Sequence, residues 1–176
     1  MRLMIRIALI SDTHGMLMPE LKQLGGVSGL VHAGDSGGVV INEQIRLFMG
    51  LEKSDCLFVK GNVDGTYADA HQPGFHNFGG LTVAAVHILA HHGAPAKRAV
   101  ADLKKAGAGL IVFGHTHEPF LSEEQGVYLV NPGSAGPQRS ARPPTAGWAD
   151  IDEATGTVLS VVVIDLITGK PVLSRP

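Results

Sequence analysis

Five apolar runs in this chain each lead into a polar residue able to hold a metal ion. IRIALI (5–10) passes into Ser11, Asp12, Thr13 and His14, and GLVHA (29–33) into Gly34 and Asp35. CLFV (56–59) passes into Lys60, Gly61, Asn62, Val63 and Asp64. LTVAAVHIL (81–89) is followed by Ala90, His91, His92 and Gly93, and GLIVF (109–113) by Gly114, His115, Thr116 and His117. Short apolar runs between turn residues read as buried strands. A carboxylate or imidazole just past such a strand loses its water and needs a partner. In open α/β sheets, ligands bind beyond the carboxyl ends of the strands. The pattern therefore predicts one sheet edge on which Asp12, His14, Asp35, Asn62, His92, His115 and His117 converge.

The segments between the runs fit this frame. LMPELKQLG (17–25) is a short helix candidate, with Pro19 in its first turn and a glycine at its end. VINEQIRLFMG (40–50) puts Ile41, Ile45 and Phe48 on one helical face, and APAKRAVADLKKAG (94–107) does the same with Ala96, Val100 and Leu103. Turns at Gly79-Gly80, Gln125-Gly126 and Thr155-Gly156 sit between alternating stretches and read as antiparallel hairpins. The chain is thus α/β through its first two thirds and mostly β near its end, as a single domain over 1–176. The irregular stretch 132–144 reads as a loop, with Arg139 and Arg142 in it.

Composition narrows the function classes. The 176 residues are 44% hydrophobic and 17% charged, with a formal net charge of −2, which suits a globular domain with its own core. That balance gives no electrostatic footprint for nucleic acid or an anionic membrane. The single cysteine, Cys56, lies in an apolar run and reads as a core residue. No segment has the pattern of an export signal or the roughly 20 apolar residues of a membrane span, so a cytoplasmic protein is expected.

Carboxylates, imidazoles and an amide oxygen are ligands for manganese, iron, zinc and similar divalent ions. Seven such groups are too many for one tetrahedral ion and suit two. Taken singly each motif is weak: Asp-x-His, Gly-Asp and Gly-Asn-x-Asp are all common turn chemistry. Gly-His-Thr-His is more specific, because alternate residues of extended chain point the same way. The five together at five strand ends carry the inference. Among the other histidines, His32 and His87 read as hydrogen-bonded core or near-site residues, and His71 and His76 as loop or strand-end residues. Trp148 and Phe120 read as core.

At SDTHG (11–15), GD (34–35), GNVD (61–64), HHG (91–93) and GHTH (114–117) the sequence resembles the calcineurin-like metallophosphoesterases. NPGS (131–134) with Arg139 is similar to their compact YfcE-like phosphodiesterase branch. The resemblance implies an α/β (α+β) fold, a four-layer αββα sandwich of two mixed sheets flanked by helices. It implies two divalent ions, manganese first, with iron, zinc, nickel or cobalt as alternatives. Asp12, His14, Asp35 and His117 would hold one ion, and Asn62, His92 and His115 would join a bridging Asp35 around the other. His91 is the fallback for His92. Asp35, Asn62, Asp64 and His92 would form the catalytic set, with Asp64 orienting a histidine ligand, and Arg139 would be a substrate contact. The implied reaction is attack on phosphorus by a hydroxide shared between the ions, with a small-molecule phosphoester as substrate.

The chain departs from the family's pattern at Val63, where relatives carry a histidine or cysteine. Ala94 follows His92-Gly93 where relatives often carry another histidine, and His91 precedes His92 where threonine is common. No arginine follows the Gly-Asp motif, which lowers a phosphoprotein phosphatase reading. A phosphomonoesterase and a non-catalytic protein-binding scaffold of the same fold, as in the retromer coat, are the alternatives. A homo-oligomer is left open.

Overall fold

The computed structural model describes residues 3–89, 93–138 and 141–176. The first strand, β1 (Met4–Ile10), pairs in parallel with β2 (Gly29–His32), which pairs in parallel with β3 (Cys56–Phe58). On the other side of β1 the chain returns late and antiparallel, as β9 (Thr145–Asp152), β10 (Thr157–Asp165) and β11 (Pro171–Arg175). This six-stranded sheet runs β11-β10-β9-β1-β2-β3. The second sheet is built from β4 (Gly74–Phe78), β5 (Leu81–Val86), β6 (Leu110–Phe113), β7 (Phe120–Glu124) and β8 (Val127–Asn131), in the order β4-β5-β6-β8-β7. It too is mixed: β5, β6 and β8 are parallel, and β4 and β7 close its edges antiparallel.

Alternation along each strand explains how the layers stack. In β1, Ile7 and Leu9 face the second sheet, where they meet Val83, Ala85, Leu110, Val112 and Val130. Ala8 and Ile10 face outward, against Ile41 and Ile45 of the helix α1 (Val39–Phe48). The outer face of the second sheet, with Ala84, Ile111, Phe113 and Leu129, is covered by Val100 and Leu103 of α2 (Gly93–Lys105). The three clusters are the three interfaces of helix, sheet, sheet and helix. Each fully buried leucine or isoleucine in them contributes on the order of 1.5–3 kcal/mol. Both faces of β1, β2, β5 and β6 are covered, which is why these strands read as unbroken apolar runs.

The hairpins fall where the glycines place them, and Trp148 and Phe120 pack at the margins of apolar clusters. The short helix expected in 17–25 is a 3-10 helix over Pro19–Leu24. Two expectations need correction. Phe48 is 43% exposed instead of sharing the buried face. The fourth apolar run is also shorter than it reads, since β5 ends at Val86. Cys56 is half-buried against α1's cluster, and burial pushes its thiol up to about 11, as befits an inert packing residue.

Candidate metal centre

The loops after β1, β2, β3, β5 and β6 meet at one edge where the two sheets abut. The loop after β1 extends the parallel ladder beyond the strands. Asp12 N–H donates to Gly34 O (3.0 Å), His14 N–H to Asp35 O (3.0 Å) and Gly15 N–H to Ser36 O (2.8 Å). On the second sheet, Val86 of β5 stands level with Phe113 of β6, so His87 and Gly114 leave the sheet side by side, with Gly114 N–H on His87 O at 3.0 Å.

Two groups of possible ligands result. Asp12, His14 and His117 form one, and Asp35, His87 and His115 the other; within each group one ligand atom per residue lies within 4.8 Å of the rest. Asp12 Oδ1 is the focus of the first. It is buried without a hydrogen-bond partner among the described residues, yet lies 3.1 Å from His117 Nε2 and 3.8 Å from His14 Nε2. His87 Nε2 is 3.1 Å from Asp35 Oδ2 and 3.8 Å from Asp12 Oδ1, which places the two groups in contact. Asn62 Oδ1 is likewise buried and unpartnered, on the residue whose neighbour, Val63, donates its N–H to Asp35 Oδ1 at 3.0 Å.

These orphaned atoms test whether the residues fit metal ions. Asp12 Oδ1 and Asn62 Oδ1 are buried with no hydrogen-bond partner among the described residues, and the buried His87 Nε2 faces only the Asp35 and Asp12 carboxylates, at 3.1 and 3.8 Å. Leaving such groups unsatisfied costs about 1–3 kcal/mol each. His87 Nδ1 lies 2.7 Å from Ala33 O, and donating to that carbonyl fixes the tautomer in which Nε2 carries a lone pair toward the carboxylates. Two cations, one at the Asp12 group and one at the Asp35 group, would give these atoms partners. The charges agree. Burial alone would raise the Asp35 carboxyl, but His87 and the Val63 amide outweigh it and hold it below its usual range. Burial alone would lower the His87 imidazole, but Asp35 and Asp12 raise it. The pocket is thus built to hold positive charge.

Further residues fix the ligand loops. The Asp64 carboxylate accepts N–H groups from Ser36 (3.1 Å), Gly37 (2.8 Å) and Gly61 (2.9 Å), tying the loop after β2 to the loop after β3. Those bonds place Asp64 on backbone amides, where the sequence predicts it on a histidine ligand. His32, fully buried, accepts Gly34 N–H at Nδ1 (3.2 Å) and donates from Nε2 to Thr13 Oγ1 (2.9 Å). Burial pulls its pKa down to about 4, so it bridges the first two loops as a neutral ring. Asn131 donates to Gly114 O (3.1 Å) and Thr116 Oγ1 (3.0 Å), and Ser134 Oγ to Asp12 O (2.9 Å). Glycine is required where these loops touch: a Cβ on Gly114 would stand 2.6 Å from Asp12 Oδ2, and one on Gly61 would collide with the Asp35 carboxylate.

Backbone strain is concentrated here. Six non-glycine residues among those described have left-handed φ, and Asp12 (56°), His14 (48°), Asp35 (52°), His115 (72°) and His117 (59°) are five of them. Such conformations persist where surrounding structure over-determines them, as at ligand sites.

Of the residues the sequence singles out, the structure brings together Asp12, His14, Asp35, Asn62, His115 and His117. His91, His92 and Arg139 lie outside the described residues. His87, which the sequence places among the core or near-site histidines, stands in the second group. It is the residue directly after β5, as Asp35, Asn62 and His115 are two to four residues after theirs. Its signal is an imidazole inside an apolar run, and that signal is lost when the run is taken as strand to residue 89.

Comparison with known proteins agrees with this geometry. The family model for the calcineurin-like phosphoesterase superfamily domain matches residues 5–154. A probable metallophosphoesterase of Mycoplasma genitalium is 28% identical over 143 residues, 74% of this chain and 77% of its own length. One of Methanocaldococcus jannaschii is 25% identical over 136 residues, 73% of this chain and 67% of its own. Similar solved structures include Vps29 of Entamoeba histolytica complexed with zinc, with a TM-score of 0.70 at 17% identity, covering 97% of both chains. YfcE, a phosphoesterase of E. coli, superposes with a TM-score of 0.64 at 19% identity, over 97% of this chain and 98% of its own. An archaeal phosphodiesterase does so at 0.62 and 19% identity, over 91% and 100%. The match over most of its length, together with the ligand loops just described, makes this chain a member of the calcineurin-like phosphoesterase superfamily.

Proposed function

We propose that this protein is a phosphodiesterase that depends on two divalent ions and acts on small-molecule diesters. The observation that carries the reading is the meeting of two ligand groups, Asp12, His14 and His117 beside Asp35, His87 and His115, around carboxylates of which Asp12 Oδ1 is buried with no hydrogen-bond partner among the described residues. Asp12, His14 and His117 would hold one ion, and Asn62, His87 and His115 the other, with Asp35 between them. Manganese is the first choice from this oxygen- and imidazole-rich set. When bound, such ions supply Lewis-acid charge at the phosphoryl group and acidify water. The chain's own part is to fix the ligands. Asp64 and His32 hold the loops bearing Asp12, Asp35 and Asn62, and His87 is oriented by Ala33 O.

Val63 gives the preference for diesters its chemical form. Its side chain is 58% exposed and has no proton to donate. Leaving groups that depart unprotonated are therefore favoured, and aryl diesters should be cleaved much faster than alkyl ones. The archaeal neighbour named a phosphodiesterase is consistent with that preference. The test is to count metals per chain and compare bis- and mono-(p-nitrophenyl) phosphate with Mn²⁺ added. Two ions and faster diester cleavage are expected, and a faster monoester would reverse the preference. A second reading, a protein-binding scaffold, is favoured by the likeness to Vps29. Bound ions with no turnover of either ester would select it.

A further inference from the structure

Two cavities adjoin beside the ligand group of Asp12, His14 and His117. The first opens at His117, with Ser134 and Gln138 on it and Pro137, Pro143 and Pro144 as a rigid wall. It is tight, about 20 Å³, with room for roughly one water. The second holds about 200 Å³ between Pro119, Thr145, Val172 and Leu173. Arg142 and Pro143 line both. Pro119 is two residues from His117, so these two walls stand within about 7 Å of one another along the backbone.

The first cavity is fixed to the ligand loop itself. Ser134 Oγ donates to Asp12 O (2.9 Å) and Ala135 N–H to Ser11 O (2.9 Å), and a Cβ on Gly136 would stand 2.6 Å from Asp12 O. The far end is tied down as well: Thr145 N–H donates to Ser134 O (2.9 Å) and Leu166 N–H to Pro144 O (2.9 Å). A proline-walled neck thus leads from the first ligand group into a chamber with four apolar residues on it, Pro119, Pro143, Val172 and Leu173. At the junction Arg142 stands 3.7 Å from Glu118, and the methylenes of its side chain add apolar surface. Val172 is 45% exposed, so part of that surface is open to a ligand. Small-molecule sites pair apolar walls with a few placed polar groups, and here those groups are at the metal end. Val63, which bears on the leaving group, lies at the other ligand group, with its N–H on Asp35 Oδ1.

Resting on the phosphoesterase reading, we infer that the two adjoining cavities are the subsite for the ester group that stays on phosphorus, and that this group is an unbranched apolar chain. Its first atoms occupy the neck beside His117, and its end covers Val172 and Leu173 in the chamber.

Three p-nitrophenyl phosphodiesters with the same leaving group test this, with ethyl, octyl and 7-carboxyheptyl as the retained substituent. Ethyl fills only the neck, octyl reaches the chamber, and 7-carboxyheptyl brings a charge against apolar walls. With Mn²⁺ added, the octyl ester should show a KM about tenfold below the ethyl ester, and the carboxyheptyl ester should lose most of that gain. Val172→Asp should cut the octyl advantage to about twofold or less, and Leu47→Ser, at an exposed position of α1, should keep it. As a separate readout with Zn²⁺ in place of Mn²⁺, octyl phosphate should shift the methyl NMR signals of Val172 and Leu173, and ethyl phosphate should leave them in place. Equal KM values for ethyl and octyl, a carboxyheptyl ester with the lowest KM, an octyl advantage kept in Val172→Asp or lost in Leu47→Ser, or unmoved methyl signals would overturn the subsite while leaving the phosphoesterase intact. No turnover of any of the three would overturn both.

Discussion

The two sheets contribute to the metal centre in different ways. The six-stranded sheet supplies the carboxylates, the amide and one imidazole, on loops bound to one another through backbone amides, the Asp64 carboxylate and the His32 ring. Asp12 and Asp35 are buried there. The second sheet supplies imidazoles alone, and they range from buried His87 to exposed His115. Its Gly114–His117 loop takes side-chain bonds from Asn131, and the His115 N–H reaches across to Asp12 Oδ2 (3.2 Å). Carboxylates must be desolvated to bind ions strongly, and a desolvated charge needs a fully satisfied frame. Neutral imidazoles tolerate solvent, so the looser sheet can carry them.

Changes on the rigid side should therefore cost most. Asp35→Asn removes a charge from the junction of both groups, and turnover should fall by more than about 100-fold, beyond the 10- to 100-fold typical of residues that only support ligands. Retained activity in that variant would dissolve the contrast between the sheets. His87→Ala should lower the bound metal from two ions per chain to one; two ions retained in that variant would remove His87 from the ligand set. Because metal must displace the proton that Asp35 and Asp12 favour on His87, affinity at that group should weaken as pH falls below its raised pKa.

Support residues sharpen the comparison further. Asp64→Asn keeps an acceptor but sets an NH2 against backbone donors, so metal affinity should drop by about 10- to 100-fold. Asn131→Ala, acting on the looser sheet, should fall at the low end of that range in a metal titration. The last effect concerns stability without metal, and leaves the metal contacts themselves untouched. His32 is kept neutral, with a folded pKa near 4 against 6.5 when unfolded. The unfolded chain takes up the proton first, so this contribution is complete above pH 6.5 and declines as pH drops toward 4. It is worth about 3 kcal/mol, and His32→Gln should flatten the decline in urea melts.

Much of this was legible in the chain. Apolar runs covered on both faces marked β1, β2 and β6, and polar residues past their ends marked Asp12, Asp35, Asn62 and both histidines of GHTH. Glycine pairs and Gly-containing turns marked the hairpins. What escaped was where an apolar run stops being strand. Val86 and Leu89 are both buried, so hydrophobicity could not separate the strand from the bend beyond it; only the register with Phe113 does, and that belongs to tertiary structure. The role of Asp64 escaped for a related reason, because its partners are backbone amides from a loop 27 and 28 residues away.

The left-handed backbone at Asp12, His14, Asp35, His115 and His117 has an evolutionary corollary. Glycine would adopt those angles more easily at every one of them, by about 1 kcal/mol or more per position. A descendant relieved of its ions would recover that backbone cost by losing these side chains one at a time, set at Asp12 and Asp35 against the hydrogen bonds those carboxylates accept. That all five persist means this sequence still forgoes that gain, and a glycine at any of them in a related chain would be an early mark of a trade left behind.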